Sequence, residues 1–217
     1  MATTTPPPDA YALTEEQIEF RDAIRKMVVE RVAPRAAEID AKAEYPWDIR
    51  RLFAEHDLLG LPFGAEYGGT GTGTLMLNLA VEEVARACAS SALILMIQEL
   101  GTLPIQLFGS DELKQRLLPN CASGEWSPAF ALSEPEAGSD PAAMRTSAVR
   151  DGDEWVINGQ KNWITNASIA DFYGLPVGEP LIPSLCSSWP GSKPSRSFST
   201  TNAEIRPASR SVFAKTT

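Results

Sequence analysis

The 217-residue chain has a single histidine, His56, and only three cysteines, Cys88, Cys121 and Cys186, which lie far apart. One histidine without paired cysteines leaves a zinc site or a Ser/His/Asp triad short of ligands, so hydrolase and metalloenzyme chemistry fall away and no metal is expected. An odd, scattered set of cysteines indicates neither a disulfide framework nor a CxxC motif; it suits a reducing cytosol, and the expected location is cytoplasmic. Long apolar runs are missing too. The longest, Ala92–Ile97, is far below the roughly 20 residues that cross a bilayer, and the opening MATTTPPPDAYA has neither the basic start nor the apolar segment of a signal peptide. Clustered Lys/Arg is absent and the net charge is −9. Neither a membrane nor a nucleic acid is therefore expected as a partner.

What is present begins as helix. Thr14-Glu15-Glu16-Gln17 fits a capping box with two acids in the positively polarised first turn. Ile18, Ile24, Met27, Val28 and Val32 follow at helical spacing, and Pro34 should kink or restart the helix. A second helix is expected from Pro46, read as its first residue, burying Ile49, Leu52, Phe53 and Leu59 before Gly60 stops it. Residues 61–74 form a loop crowded with Gly68, Gly69, Gly71 and Gly73, but without the Lys-Ser/Thr ending of a P-loop or a strand before it. The periodicity then predicts helices over 75–89 and 90–107, the second carrying an apolar stripe of Leu93, Met96, Ile97 and Leu100 read first as core. Ser110 starts a short helix that Pro119 should end, and Ser123-Gly124 marks the change from helices to strands.

Beyond that change come two words, PAFALSEPEAGSD (Pro128–Asp140) and WVINGQKNWITN (Trp155–Asn166). Asp151-Gly152-Asp153 and Asn158-Gly159 both read as tight hairpin turns. They predict a meander of strands over 146–150, 154–158 and 160–165, preceded by one near 128–133.

These words, in this order and spacing, resemble the start of the middle β-domain of the acyl-CoA dehydrogenases, flavoenzymes that desaturate acyl-CoA thioesters. LPFGAEYGGTG and LGTLPIQLFGSDELKQRLLP resemble the helical N-terminal domain of the same family. The resemblance runs from near Leu13 to Tyr173. It implies an α+β chain: an all-α domain over 13–124 after a flexible lead over 1–12, then an incomplete antiparallel β-domain over 125–173.

An isoalloxazine ring is a flat plate with one apolar and one polar end, so its site needs an aromatic or apolar wall and a few donors along one edge. Trp163 and Thr165, at one strand parity, would face the same side, indole over the ring and hydroxyl toward the polar edge. Phe130 and Leu132 pair by parity in the same way, and Ser133 follows with a free hydroxyl. Gly138 lets backbone amides approach an anion, and Ser139 adds a donor suited to a phosphate oxygen. The resemblance implies that FAD is held by Phe130, Ala131, Leu132, Ser133, Ser139, Trp163, Ile164 and Thr165. It also implies that the acyl-CoA substrate touches Ser139, with Met96 and Leu100 lining its pocket, and that an electron-transferring flavoprotein is the acceptor. No catalytic residue is assigned. The family's carboxylate base lies in a C-terminal helical domain together with most of the oligomer interface, and Glu134 and Glu136 read as solvated carboxylates on a turn.

The resemblance stops at Tyr173. Residues 174–217 hold nine Ser, six Pro and four Thr, with five basic against two acidic residues and no periodicity; they read as a disordered tail without regular elements. Scattered Trp189, Phe198 and Phe213 suit an out-of-frame translation, which would make this a truncated, inactive form. The alternatives are a non-catalytic fragment acting through protein interaction, or another flavoenzyme on the same scaffold, an acyl-CoA oxidase or nitroalkane oxidase.

Overall fold

The computed structural model describes residues 12–151 and 154–177, and the backbone of two further strands at 185–188 and 202–205. The first helix, α1 (Glu15–Met27), starts as its sequence dictates: the Thr14 hydroxyl accepts from the Gln17 amide at 3.3 Å while Gln17 Oε1 accepts from the Thr14 amide at 3.0 Å. Ile24, Val28 and Val32 are buried, whereas Ile18 is exposed. Pro34 has no N–H to return to the preceding turn. The chain accordingly passes through a π turn (Val28–Val32) and a 3-10 turn (Ala33–Arg35) into α2 (Ala36–Lys42).

Helix α3 (Trp47–Glu55) buries Ile49, Leu52 and Phe53, with Pro46 as its cap and not its first residue. After the glycine loop come α4 (Gly73–Ala87), α5 (Ala89–Leu100), α6 (Leu103–Phe108) and α7 (Asp111–Ala122). The helix expected over 90–107 breaks at Gly101-Thr102, because the Thr102 hydroxyl turns back to the Gln98 and Glu99 carbonyls and Pro104 restarts the chain. Pro119 does not end α7. It omits one ladder donor but keeps its carbonyl, which accepts from the Ser123 amide at 3.0 Å, so the helix continues three residues further.

The helical core joins the π turn after α1 to α3, α4 and α5 through Val32, Phe53, Leu59, Ala80, Val84 and Leu95, all fully enclosed. Glu83 of α4, also buried, takes a two-pronged bond from Arg25 of α1 at 2.9 and 2.6 Å. Residues 89–108 have the length and hydropathy of a membrane span, 20 residues at 1.4, but half of that window is buried inside the fold and it is broken between α5 and α6.

The strands are β1 (Pro128–Phe130), β2 (Ser147–Asp151), β3 (Glu154–Asn162), β4 (Phe172–Leu175), β5 (Leu185–Ser188) and β6 (Asn202–Ile205). They form two sheets, β1-β4-β5 and β2-β3-β6. All pairs are antiparallel except β1 with β4, which is parallel. β2 and β3 pair with Asp151 opposite Glu154, and residues 152 and 153 of the turn expected between them lie outside the described residues.

Asn158-Gly159 is not a turn. It lies inside β3, where Asn158 pairs with Ser147 and Gly159 with Ile205. Glycine is needed there for space, since a Cβ at 159 would fall 2.3 Å from the Thr146 hydroxyl. The expectation of no regular element past Tyr173 is likewise corrected. Pro183, Pro190 and Pro207 stand outside β5 and β6, so neither strand loses a ladder donor to proline.

Two close approaches join helices to strands. A Cβ at Gly101, at the end of α5, would sit 2.6 Å from Pro128 Cβ of β1, and one at Gly174 of β4 would sit 3.5 Å from the Gly101 carbonyl. Gly101→Ala is expected to destabilise the chain by about 1–3 kcal/mol, because the pyrrolidine ring cannot swing aside. Thermal denaturation of the variant against the parent checks this; an unchanged midpoint would show that the joint is loose. Arg50 completes the joint: buried, it donates to the carbonyls of Gly124 (3.0 Å) and Trp126 (2.8 Å) and to Gln98 Oε1 (3.3 Å).

Candidate flavin site

The two words of the sequence meet in space. The Asn162 amide, at the end of β3, donates to the Ser133 carbonyl at 2.8 Å, and Lys161 Nζ donates to the Leu132 carbonyl at 3.1 Å. Ala131 is tied to β4 through its amide and the Gly174 carbonyl at 2.8 Å. Residues 130–133 are thus held between β4 on one side and the end of β3 on the other.

Strand parity is not what turns Trp163 and Thr165 outward. β3 ends at Asn162, Trp163 has φ 61°, and Thr165 lies in the turn that follows. Both are exposed all the same, the indole at 70%. Ile164 between them is buried in the β core with Ala131, Ile157 and Leu175, so Ala131 and Ile164 have only backbone to offer a ligand. Phe130, Leu132 and Ser133 are half-buried. On α5, Leu93, Met96 and Leu100 are 42–46% exposed and only Ile97 of the stripe is enclosed. The core reading of that stripe fails: the helix turns Ile97 inward and leaves the other three on an open apolar face beside the joint to β1.

The turn carrying the first word is built around Glu134. Its amide and carbonyl pair with those of Ala137, at 2.8 and 3.3 Å. The side chain is buried and not solvated: Oε2 accepts from the Arg145 amide (2.6 Å), and Oε1 from the Thr146 amide (3.0 Å) and from Lys161 Nζ (2.8 Å). Burial works to raise its pKa but is outweighed by those amides and the ammonium, which lower it to about 2. Glu136 is exposed and paired with Arg145. Ser139 is exposed. A Cβ at the neighbouring Gly138 would meet nothing within 4 Å and its φ is not left-handed, so neither packing nor conformation accounts for this glycine.

Lys161 and Glu134 are the residues the sequence reading missed as a pair. The signal was present: Lys161 shares strand parity with the buried Ile157, and a lysine on a core face needs an acid to meet it.

This donor set fits a flavin. An exposed indole, half-buried apolar side chains and hydroxyls at Ser133, Ser139 and Thr165 suit the ring, and an unexplained glycine beside Ser139 leaves backbone accessible to an anion.

The N-terminal domain model of the acyl-CoA dehydrogenases matches residues 14–125, and the middle-domain model matches 129–178. The chain belongs to the acyl-CoA dehydrogenase family. Among its curated relatives, a cyclohex-1-ene-1-carbonyl-CoA dehydrogenase of Geobacter metallireducens is 51% identical over 161 residues, 73% of this chain and 42% of the relative. A solved glutaryl-CoA dehydrogenase of Mycobacterium smegmatis in complex with FADH2 is similar with a TM-score of 0.74 at 30% identity, over 81% of this chain and 46% of that one. A structure described as the electron transferring flavoprotein of Acidaminococcus fermentans gives 0.71 at 34% identity, over 77% and 44%. The chain therefore spans less than half the length of these proteins.

Proposed function

We propose that this chain carries one wall of an FAD and acyl-CoA site of the acyl-CoA dehydrogenase type. The observation that carries the reading is the junction of the two words: residues 130–133 and the end of β3 are bonded together, with the Trp163 indole left exposed beside them. When bound, FAD supplies the acceptor for the hydride removed from the acyl chain as the thioester is desaturated. The chain's own residues bind and orient. Trp163 covers the ring, Phe130, Leu132 and the Ala131 and Ile164 backbone wall its apolar side, Ser133 and Thr165 serve its polar edge, and Ser139 with the Gly138 backbone serves phosphate oxygens. Met96 and Leu100 present an apolar surface to an acyl chain. An electron-transferring flavoprotein as acceptor is supported by the likeness to the structure described for such a system.

Proton abstraction is not among the tasks these residues can perform. Glu134 is buried in an ion pair and Glu136 is paired with Arg145, so neither is a free base at the site. The described residues are read as unable to turn over an acyl-CoA by themselves, and the protein as lying in the cytoplasm.

The test is titration of the purified full chain with FAD, read by flavin absorbance, then anaerobic addition of a medium-chain acyl-CoA. FAD is expected to bind without bleaching, and binding should be lost in Trp163→Asn, since asparagine tolerates the left-handed backbone and removes only the indole. No FAD binding at all would overturn the flavin reading; bleaching would overturn the inactive one.

A further inference from the structure

Lys161 has no exposed surface. A buried ammonium is costly unless acceptors meet it, and exchanging a buried ion pair for apolar residues of similar volume commonly leaves a fold as stable or more so. The fold alone does not ask for charges here. What an apolar pair would lack is direction. The bonds from Lys161 to Leu132 and Glu134, and from the Arg145 and Thr146 amides to Glu134, tie three segments to one point: the first word, the entry to β2 and the end of β3.

Two residues beyond Lys161 stands Trp163, in a left-handed conformation that bulky side chains rarely adopt. It is gripped on both sides, by the Asn162 amide on the Ser133 carbonyl and by Ile164 in the β core. Such a conformation persists only where the surroundings over-determine it.

Resting on the flavin reading above, we infer that Lys161 and Glu134 are positioning residues: their buried pair locks the end of β3 onto residues 132–134 and so keeps the Trp163 indole presented to the flavin ring. Neither touches the ring. They act through Trp163 and the Leu132–Ser133 backbone, which is a role distinct from stability alone.

The experiment uses the full chain labelled with 5-fluorotryptophan. Its five tryptophans give separate fluorine signals, and Trp163 is identified by the signal lost in Trp163→Phe. FAD affinity is measured by titration alongside. Lys161→Met is expected to shift or broaden the Trp163 signal and to weaken FAD binding by about tenfold or more, a loss of about 1.4 kcal/mol. Lys161→Arg, which keeps charge and donors, should restore both. A pair that merely stabilises would lower the thermal midpoint of Lys161→Met while leaving the Trp163 signal and the FAD affinity of the folded protein unchanged, and that result overturns the inference. If Lys161→Met does not fold, Glu134→Gln, which keeps the shape of the side chain, replaces it with the same expected outcome. If the parent chain binds no FAD, the flavin reading is what fails, and the fluorine signal alone decides whether the pair holds Trp163.

Discussion

Arg50→Met is expected to lower the stability of the chain by about 3 kcal/mol, read as a fall in the urea midpoint. The guanidinium is buried between α3, α5 and the segment that leads into β1, and its two backbone acceptors belong to residues 124 and 126, where helices give way to strands. Methionine fills much of the volume but donates nothing. The Trp126 carbonyl would keep one donor, Gln98 Nε2 at 3.1 Å, whereas the Gly124 carbonyl and Gln98 Oε1 would lose the bonds recorded for them. Hydrogen bonds from a charged donor contribute about 1.5–3 kcal/mol each, and acceptors left buried without a donor add to the loss. Arg50→Lys should recover less than half, because one ammonium cannot span the three acceptors in the plane that a guanidinium serves. A midpoint within error of the parent for Arg50→Met would show that the joint is held by the glycine contacts of Gly101 and Gly174 instead.

Arg50 also marks the limit of what could be read from the sequence. Helix starts were legible because they are local: Thr14 with Gln17, and Ser110, whose hydroxyl accepts from the Leu113 amide at 3.2 Å, act within one turn. The pairing of Asp151 with Glu154 was legible for the same reason. Asn158-Gly159 carries an equally strong turn signal, yet its glycine answers to Thr146, thirteen residues away in the chain, a contact that only the β2–β3 pairing creates. Pro119 misled in the opposite direction, since a missing donor near the end of a helix does not oblige the helix to stop. The outward face of α5 was half read. Spacing identified the stripe of Leu93, Met96, Ile97 and Leu100, but whether a stripe is core depends on what packs against it, and here only Ile97 is covered. Trp163 and Thr165 were expected on one side for the wrong reason. Parity along a strand has no bearing on a residue whose φ is 61° just past the strand end; the indole points outward because its neighbours are bonded inward.

The buried carboxylate offers the second large effect, and its sign follows from its pKa. Glu134 titrates near 2 in the folded chain, because the Arg145 and Thr146 amides and the Lys161 ammonium outweigh the opposing effect of burial, whereas unfolded it would titrate near 4.5. A folded value below the unfolded one means that ionised Glu134 stabilises the fold fully above the unfolded pKa, and that this contribution is lost as pH falls from about 5 toward 2. The magnitude is about 3 kcal/mol. Glu134→Gln mimics the protonated carboxyl at every pH, leaving Lys161 without its anion. At pH 6 the variant should therefore unfold at a lower urea concentration than the parent by about that free energy, and the two curves should draw together as the pH is lowered toward 2. Glu83, whose pKa is lowered chiefly by its bond from Arg25, also loses its contribution on acidification, but it does so equally in both proteins and drops out of the difference. A gap between parent and variant that stays constant from pH 6 to the acid limit would show that Glu134 acts through shape and not charge, and would remove the electrostatic grip on the end of β3 from which the positioning of Trp163 was argued.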